Sequence, residues 1–182
     1  TYLKITGWVW YYLSTVLDDF SRFIVAWKLC ATMRADDVTA TLDLALAASG
    51  LDRITVAHRP RLLSDNGSSY ISADLATWLD GKGMQHVRGA PYHPQTQGKI
   101  ERWHQTLKNR ILLENYFFQE DLEAQIAAFV EHYNHRRYHE SLDNLTPADV
   151  YFGRGQTILL ERERIKRETI RQRRLNHQAK AA

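Results

Sequence analysis

The sequence predicts an α/β domain with a mixed five-stranded sheet covered by helices on both faces, followed by a basic helical tail. Three observations predict it. Aromatic and β-branched runs fill the chain before Leu29, helical and apolar segments alternate from Arg34 to Arg88, and two amphipathic helical patterns follow. With 44% hydrophobic residues among 182, the chain can bury one substantial core but hardly two, so residues 1–153 are expected to form the domain and residues 154–182 the tail.

The elements follow in order. Trp8 to Leu17 (WVWYYLSTVL) is too apolar for an exposed element and reads as a buried central strand. Thr1 to Ile5 before it and Phe23 to Leu29 after it complete an antiparallel meander, and Asp18 and Asp19 lie where the chain reverses, which suits turn hydrogen bonding. Arg34 to Ser49 repeats Val38, Leu42 and Leu46 at helical spacing, with Gly50 as its stop. Residues 51–60 read as connection, and a short strand then ends at Asp65. Ser72 is an N-cap for a helix over Ala73 to Asp80 closed by Gly81, and Met84 to Arg88 is a fifth strand. Pro91, Pro94 and Gly98 forbid regular structure before the next helix. There Ile100, Trp103, Leu107 and Ile111 form an apolar stripe, and Glu101, His104, Gln105 and Lys108 share a neighbouring polar face. Asp121 to Tyr133 is a further amphipathic helix, and Leu159 to Leu175 a basic one with sparse apolar positions.

Two stretches carry chemistry. Glu101 lies in a first helical turn, where a carboxylate either meets a metal or phosphate or simply complements the helix dipole. Asp65 heads Ser64-Asp65-Asn66-Gly67, which is also an ordinary turn sequence. Taken together, SDNG-S-x-Y and PYHPQTQGKIE, with thirty-five residues between Asp65 and Glu101, resemble the catalytic core of retroviral-type integrases and related insertion-sequence transposases. The resemblance runs from Thr1 to about Gly153. Tyr133 to Leu142, followed by Thr146-Pro147-Ala148, is similar to the closing motif of the transposases and favours them over viral integrases.

That resemblance implies a ribonuclease-H-like fold and a metal-dependent polynucleotidyl transferase. Enzymes of the family hold two divalent ions, Mg²⁺ or Mn²⁺, with two aspartates and one glutamate, and oxygen ligands suit such hard cations. Asp65 matches the second aspartate and Glu101 the glutamate. The first aspartate belongs to an Asp-hydrophobic-Thr-Tyr motif, of which Thr1-Tyr2 is the end, so it is expected two positions before Thr1 and the chain as written is expected to be catalytically defective. Tyr92, Gln95, Gln97, Gln105 and Lys108 match positions that meet DNA in the family. The implied partners are transposon ends and a target duplex, with several copies of the chain assembled on them.

The charge distribution adds to this. From Arg154 onward nine Lys or Arg face three Glu, whereas residues 1–153 hold 15 basic and 18 acidic groups. A basic arm including Arg162, Arg164, Arg171, Arg173 and Arg174 points to a polyanion, while a solvated or oligomer-forming helix would have the same composition. The single cysteine, Cys30, excludes an intrachain disulfide and reads as a small apolar strand residue. No membrane-length apolar run or secretory leader is present, which suits the cytoplasm. A non-catalytic fragment that binds DNA or competes for transposase partners fits the same residues. A hydrolytic nuclease of the same fold fits less well, because the Pro91–Gly98 loop and the closing motif have no place in it.

Overall fold

The computed structural model describes residues 1–4, 10–54, 59–89 and 97–181. Its elements are β1 (Tyr2–Lys4), β2 (Trp10–Leu17), β3 (Ile24–Cys30), α1 (Ala35–Ser49), β4 (Leu62–Ser64), α2 (Ala73–Gly81), β5 (His86–Arg88), α3 (Gly98–Ile111), α4 (Gln119–His135), α5 (Pro147–Tyr151) and α6 (Gly155–Ala181), with a 3₁₀ turn at Glu140–Leu142. Ile5, Trp8, Val9, Pro91 and Pro94, used above to place the first strands and the loop, lie outside the described residues.

The opening meander forms as expected, antiparallel in the order β1-β2-β3. Alternation along β2 sends Tyr11, Leu13 and Leu17 to one face and Val16 to the other. A bulge opposite Val16 and Leu17 skips Val25 in the pairing, so Ile24 turns to the same face as Trp27 and Leu29. That face packs on α3 and α4 through Trp103, Leu107, Ile111, Leu122, Ile126 and Val130. Across the sheet, Val38 and Leu42 of α1 meet Leu75 and Leu79 of α2, with Val16 and Leu62 beneath them. Helices therefore cover both faces.

The sheet departs from the expectation in one respect. Five strands are present among the described residues, but β4 and β5 pair with each other in parallel as a separate two-stranded sheet. The physical reason is length: β1 and β4 are each three residues, and β1 spends its ladder on β2. Helix ends also shift slightly. Gly50 is left-handed as expected at φ 72°, but after α2 it is Gly83, at φ 65°, that reverses the chain rather than Gly81. The tail helix is longer than its apolar pattern suggested, and its apolar residues do not gather on one side. Among the described residues no helix is long and apolar enough to cross a membrane.

Hydrogen bonding of α4 fixes the layers. Asn134, 4% exposed, accepts from Ile24 N at 2.9 Å through Oδ1 and donates to Ile24 O at 3.0 Å through Nδ2. Asp18 accepts from Ser21 N and Oγ at 2.7 and 2.6 Å, the turn role expected of it. Asn134→Leu should leave both polar groups of Ile24 unsatisfied in the interior and cost about 2–4 kcal/mol. Urea unfolding of the variant would measure this, and an unchanged midpoint would show that water replaces the amide.

Candidate functional site

Asp65 follows β4 directly and is exposed. Its Oδ1 accepts from Gly67 N at 2.8 Å, and a Cβ on Gly67 would come within 3.0 Å of that same oxygen, so the turn needs glycine there to keep the carboxylate in place. β5 holds the turn from the other side. Asn66 Nδ2 donates to Gly89 O at 3.0 Å and Gly89 N donates to Ser64 O at 2.9 Å. Ser64 Oγ donates to Asp65 O at 2.8 Å, so His86 Nε2, also 2.8 Å away, supplies the hydrogen to Ser64. Sequence reasoning saw the turn but not this backing, which joins residues twenty-two apart.

Glu101 is exposed in the first turn of α3 and makes no ion pair among the described residues. The start of α3 is tied to the hairpin turn instead by Lys99, whose Nζ lies 2.9 Å from Asp19 Oδ2 and donates to Asp19 O at 2.7 Å. Asp18 and Asp19 are thus both occupied structurally. One turn beyond Glu101, His104 differs from its expected place on a polar face. Its Nε2 is buried without a partner among the described residues, and burial, then the Thr1 amine and Lys108, push its pKa down to about 3. Its spacing from Glu101 was visible in the sequence, its burial was not.

These elements meet at the start of β1. Burial lowers the pKa of the Thr1 amine, Lys108 lowers it further, and Asp65 opposes them both, so Asp65 and the polar face of α3 act on one point. Lys108 Nζ sits 4.4 Å from the ring centroid of Tyr2, which packs edge-on against Trp10. Gln105 donates to Asn109 Oδ1 at 2.6 Å, and Gln97 places its amide nitrogen in a buried position without a partner among the described residues. Tyr92 and Gln95 lie outside the described residues. Among the described residues no three His, Cys, Asp or Glu side chains cluster as a metal site. Cys30 is buried, and burial pushes its thiol up to about 11, in keeping with a packing role.

In the tail, Arg162 donates to Asp143 O and Asn144 O at 3.3 and 3.0 Å and lies over Tyr138, so it fastens α6 to the core. Arg164 and Arg171 pair with Glu161 and Glu168. Arg173 and Arg174 are exposed and form no ion pair among the described residues.

Comparison with known proteins follows this geometry. Two family models, both described as integrase core domain, match residues 1–94 and residues 82–147. The transposase for insertion sequence element IS904 of Lactococcus lactis is 32% identical over 143 residues, 76% of this chain and 53% of that protein. The Pro-Pol polyprotein of simian foamy virus type 3 is 31% identical over 94 residues, 51% of this chain and 7% of that protein. The chain therefore spans about half the length of the IS904 transposase. Among solved structures, a simian T-cell lymphotropic virus intasome in complex with a PP2A regulatory subunit aligns over 82% of this chain and 50% of the other, with TM-score 0.67 and 19% identity. The HTLV-2 integrase catalytic core in complex with magnesium aligns over 82% and 89%, with TM-score 0.62 and 16% identity. Both share the fold.

Two histidines make stability depend on pH. His104 stays neutral in the folded chain down to about 3 and His139, held down by burial and then by Arg137 and Arg22, to about 4, whereas both protonate near 6.5 when unfolded. The unfolded state thus binds more protons below 6.5, so stability is complete above that value and falls as pH is lowered towards 4 and then 3. Denaturant midpoints across this range should fall, and His104→Gln should flatten the fall. A pH-independent midpoint, or an NMR titration of His104 near its ordinary value, would contradict the burial.

Proposed function

Because the chain belongs to the integrase core domain family, we propose that residues 1–153 are the catalytic core of an insertion-sequence transposase that cleaves element ends and joins them to a target duplex. The observation that supports this reading is that Asp65 and Lys108, the latter on the α3 helix that also carries Glu101, both lie within electrostatic reach of the Thr1 amine at the head of β1. Asp65 and Glu101 are the two acids that this reading assigns to the site. The β1–β2 register supports a third: Tyr2 pairs with Tyr12 and Leu3 with Tyr11, so a residue two positions ahead of Thr1 would stand opposite Thr15. It would share a face with Leu3, and Leu3 packs towards α3.

The donor set fits a hard divalent cation in part. Asp65 and Glu101 offer exposed carboxylate oxygens, one Asp65 oxygen being held by Gly67, while Asp18 and Asp19 are taken by Ser21 and Lys99. Mg²⁺ or Mn²⁺, when bound, would polarise the phosphoryl group and activate the attacking water or 3′-hydroxyl. The chain's own residues supply the rest. Asp65 is oriented by its turn, Lys108 offers a cation to a phosphate two turns beyond Glu101, and neutral His104 adds no competing charge beside them. Gln97, Gln105 and the segment holding Tyr92 and Gln95 are assigned to DNA contact by motif. Assembly of several copies on DNA belongs to the same reading, the simian T-cell lymphotropic virus relative having been solved as an intasome.

A second reading, a DNA-binding or partner-competing fragment without catalysis, fits the same residues and the basic composition of the tail. Activity separates the two. In the protein extended upstream to include an aspartate two residues before Thr1, Asp65→Asn and Glu101→Gln should each bring Mg²⁺-dependent end cleavage and joining to background without moving the unfolding midpoint. Calorimetry should show that the 182-residue chain alone binds Mg²⁺ weakly. Retained turnover in either variant would remove that residue from the site, and tight Mg²⁺ binding by the chain alone would mean that another group completes it.

A further inference from the structure

Charge is not spread evenly around or along α6. Leu160 to Lys180 is exposed throughout, so packing does not dictate where its charges fall. All three glutamates lie at or before Glu168, and each is paired within the helix, to Arg164, Arg167 and Arg171. Beyond Glu168 no acid remains. At about 100° per residue, Lys166, Arg173 and Lys180 fall in one row and Arg167, Arg171 and Arg174 in another. Ile170 and His177 lie between the rows, so the basic residues occupy about half of the circumference. The opposite half carries Thr169, Gln172, Leu175 and Asn176, and Gln172 donates to Asn176 Oδ1 at 3.1 Å.

The helix dipole accounts for a cation in the last turn, Lys180, but its influence fades within that turn and it has no preference around the circumference. Solvation likewise favours no side. Arg167 and Arg171 are paired with Glu163 and Glu168, but Lys166, Arg173, Arg174 and Lys180 form no ion pair among the described residues, and cations kept to one half of a helix repel one another unless an anionic surface is placed against them. The two rows run over fifteen residues, roughly 20 Å at 1.5 Å per step, and an α-helix of this width fits the major groove of a duplex whose phosphates line both rims.

We infer that the distal part of α6, from Lys166 to Lys180, is a duplex-DNA-binding face that grips phosphates chiefly with Lys166, Arg173, Arg174 and Lys180, the members of the two rows that form no ion pair among the described residues, while the proximal part is a strut. In the strut the Glu–Arg pairs cancel charge, and Arg162, bonded to Asp143 O and Asn144 O, sets the angle at which the arm leaves the core. Arg162 and Arg164 therefore serve the strut rather than the DNA. The inference shares its partner with the proposed function but none of its chemistry, because it requires neither Asp65 nor Glu101.

Binding of the 182-residue chain to a mixed-sequence duplex, followed by fluorescence anisotropy over a salt series in the presence of EDTA, tests it. The triple variant Lys166→Gln, Arg173→Gln, Lys180→Gln should lower the slope of log affinity against log salt by about 2 to 3. Gln172→Ala with Asn176→Ala, on the opposite face, should leave it unchanged, and far-UV circular dichroism of each variant checks that α6 stays helical. An unaltered slope in the triple variant, or an equal loss from the opposite-face pair, would overturn the inference. So would tighter binding to phosphatidylserine vesicles than to the duplex, which would make the face a membrane-surface element. Because EDTA removes divalent ions, these results stand whatever becomes of cleavage. Repeating the series with Glu101→Gln separates a failed arm from a failed catalytic core.

Discussion

One buried amide fixes where the helical layer sits. β3 is an edge strand, and an edge exposes N–H and C=O groups that must find partners once helices cover it. Asn134 satisfies both groups of Ile24 with a single side chain. The pairing allows α4 only one axial position on the sheet, since a shift by one residue would present Tyr133 or His135 instead. From there the constraint passes inward. Trp103 of α3, 1% exposed, packs with ring centroids 5.6 Å from Phe129 and 4.6 Å from Tyr133, both on α4. Register on β3 thus sets α4, α4 sets α3, and α3 carries Glu101, His104 and Lys108.

Asp65 is held by an independent route. Its turn hangs on β5 through Asn66, Ser64 and His86, and the β4 strand before it packs with α1 and α2 on the other face of the sheet. Asp65 and Glu101 are therefore carried by elements of different halves of the core. The separate β4–β5 ladder agrees with this division, because Asp65 follows a strand that does not pair with the β1–β2–β3 sheet.

The sequence made the elements and the two acids legible because both depend on local signals. Periodicity located α1 to α4, Ser72 capped α2 by accepting from Leu75 N at 3.2 Å, and the Asp-Asn-Gly turn and the helix start after Gly98 marked Asp65 and Glu101. The missed features are contacts between residues far apart in the chain. Lys99 and Asp19 are eighty residues apart, and Asn134 and Ile24 one hundred and ten. Burial of polar groups was equally hidden. Asn134 and His104 have the polarity of surface residues, and only tertiary packing turns one into a bracket and the other into a neutral imidazole. The single five-stranded sheet failed for a simpler reason, since strand count was readable but the pairing of three-residue strands was not.

Composition pointed to the tail, but the three-dimensional arrangement gives it two parts with different support. A 27-residue helix with no continuous apolar stripe cannot draw its stability from packing. Its proximal part compensates with the Glu161–Arg164 and Glu163–Arg167 pairs, the acid on the N-terminal side where the helix dipole favours it. It begins under constraint as well: Gly153 is left-handed at φ 71°, and Gly155 lies so close to Leu145 that a Cβ would meet its Cδ1 at 2.9 Å. The distal part has one such pair, Glu168–Arg171, while Lys166, Arg173, Arg174 and Lys180 form no ion pair among the described residues. Neutralising those charges with phosphates removes the repulsion and favours the helical form, so ligand binding and helix order reinforce each other there while the strut remains ordered throughout.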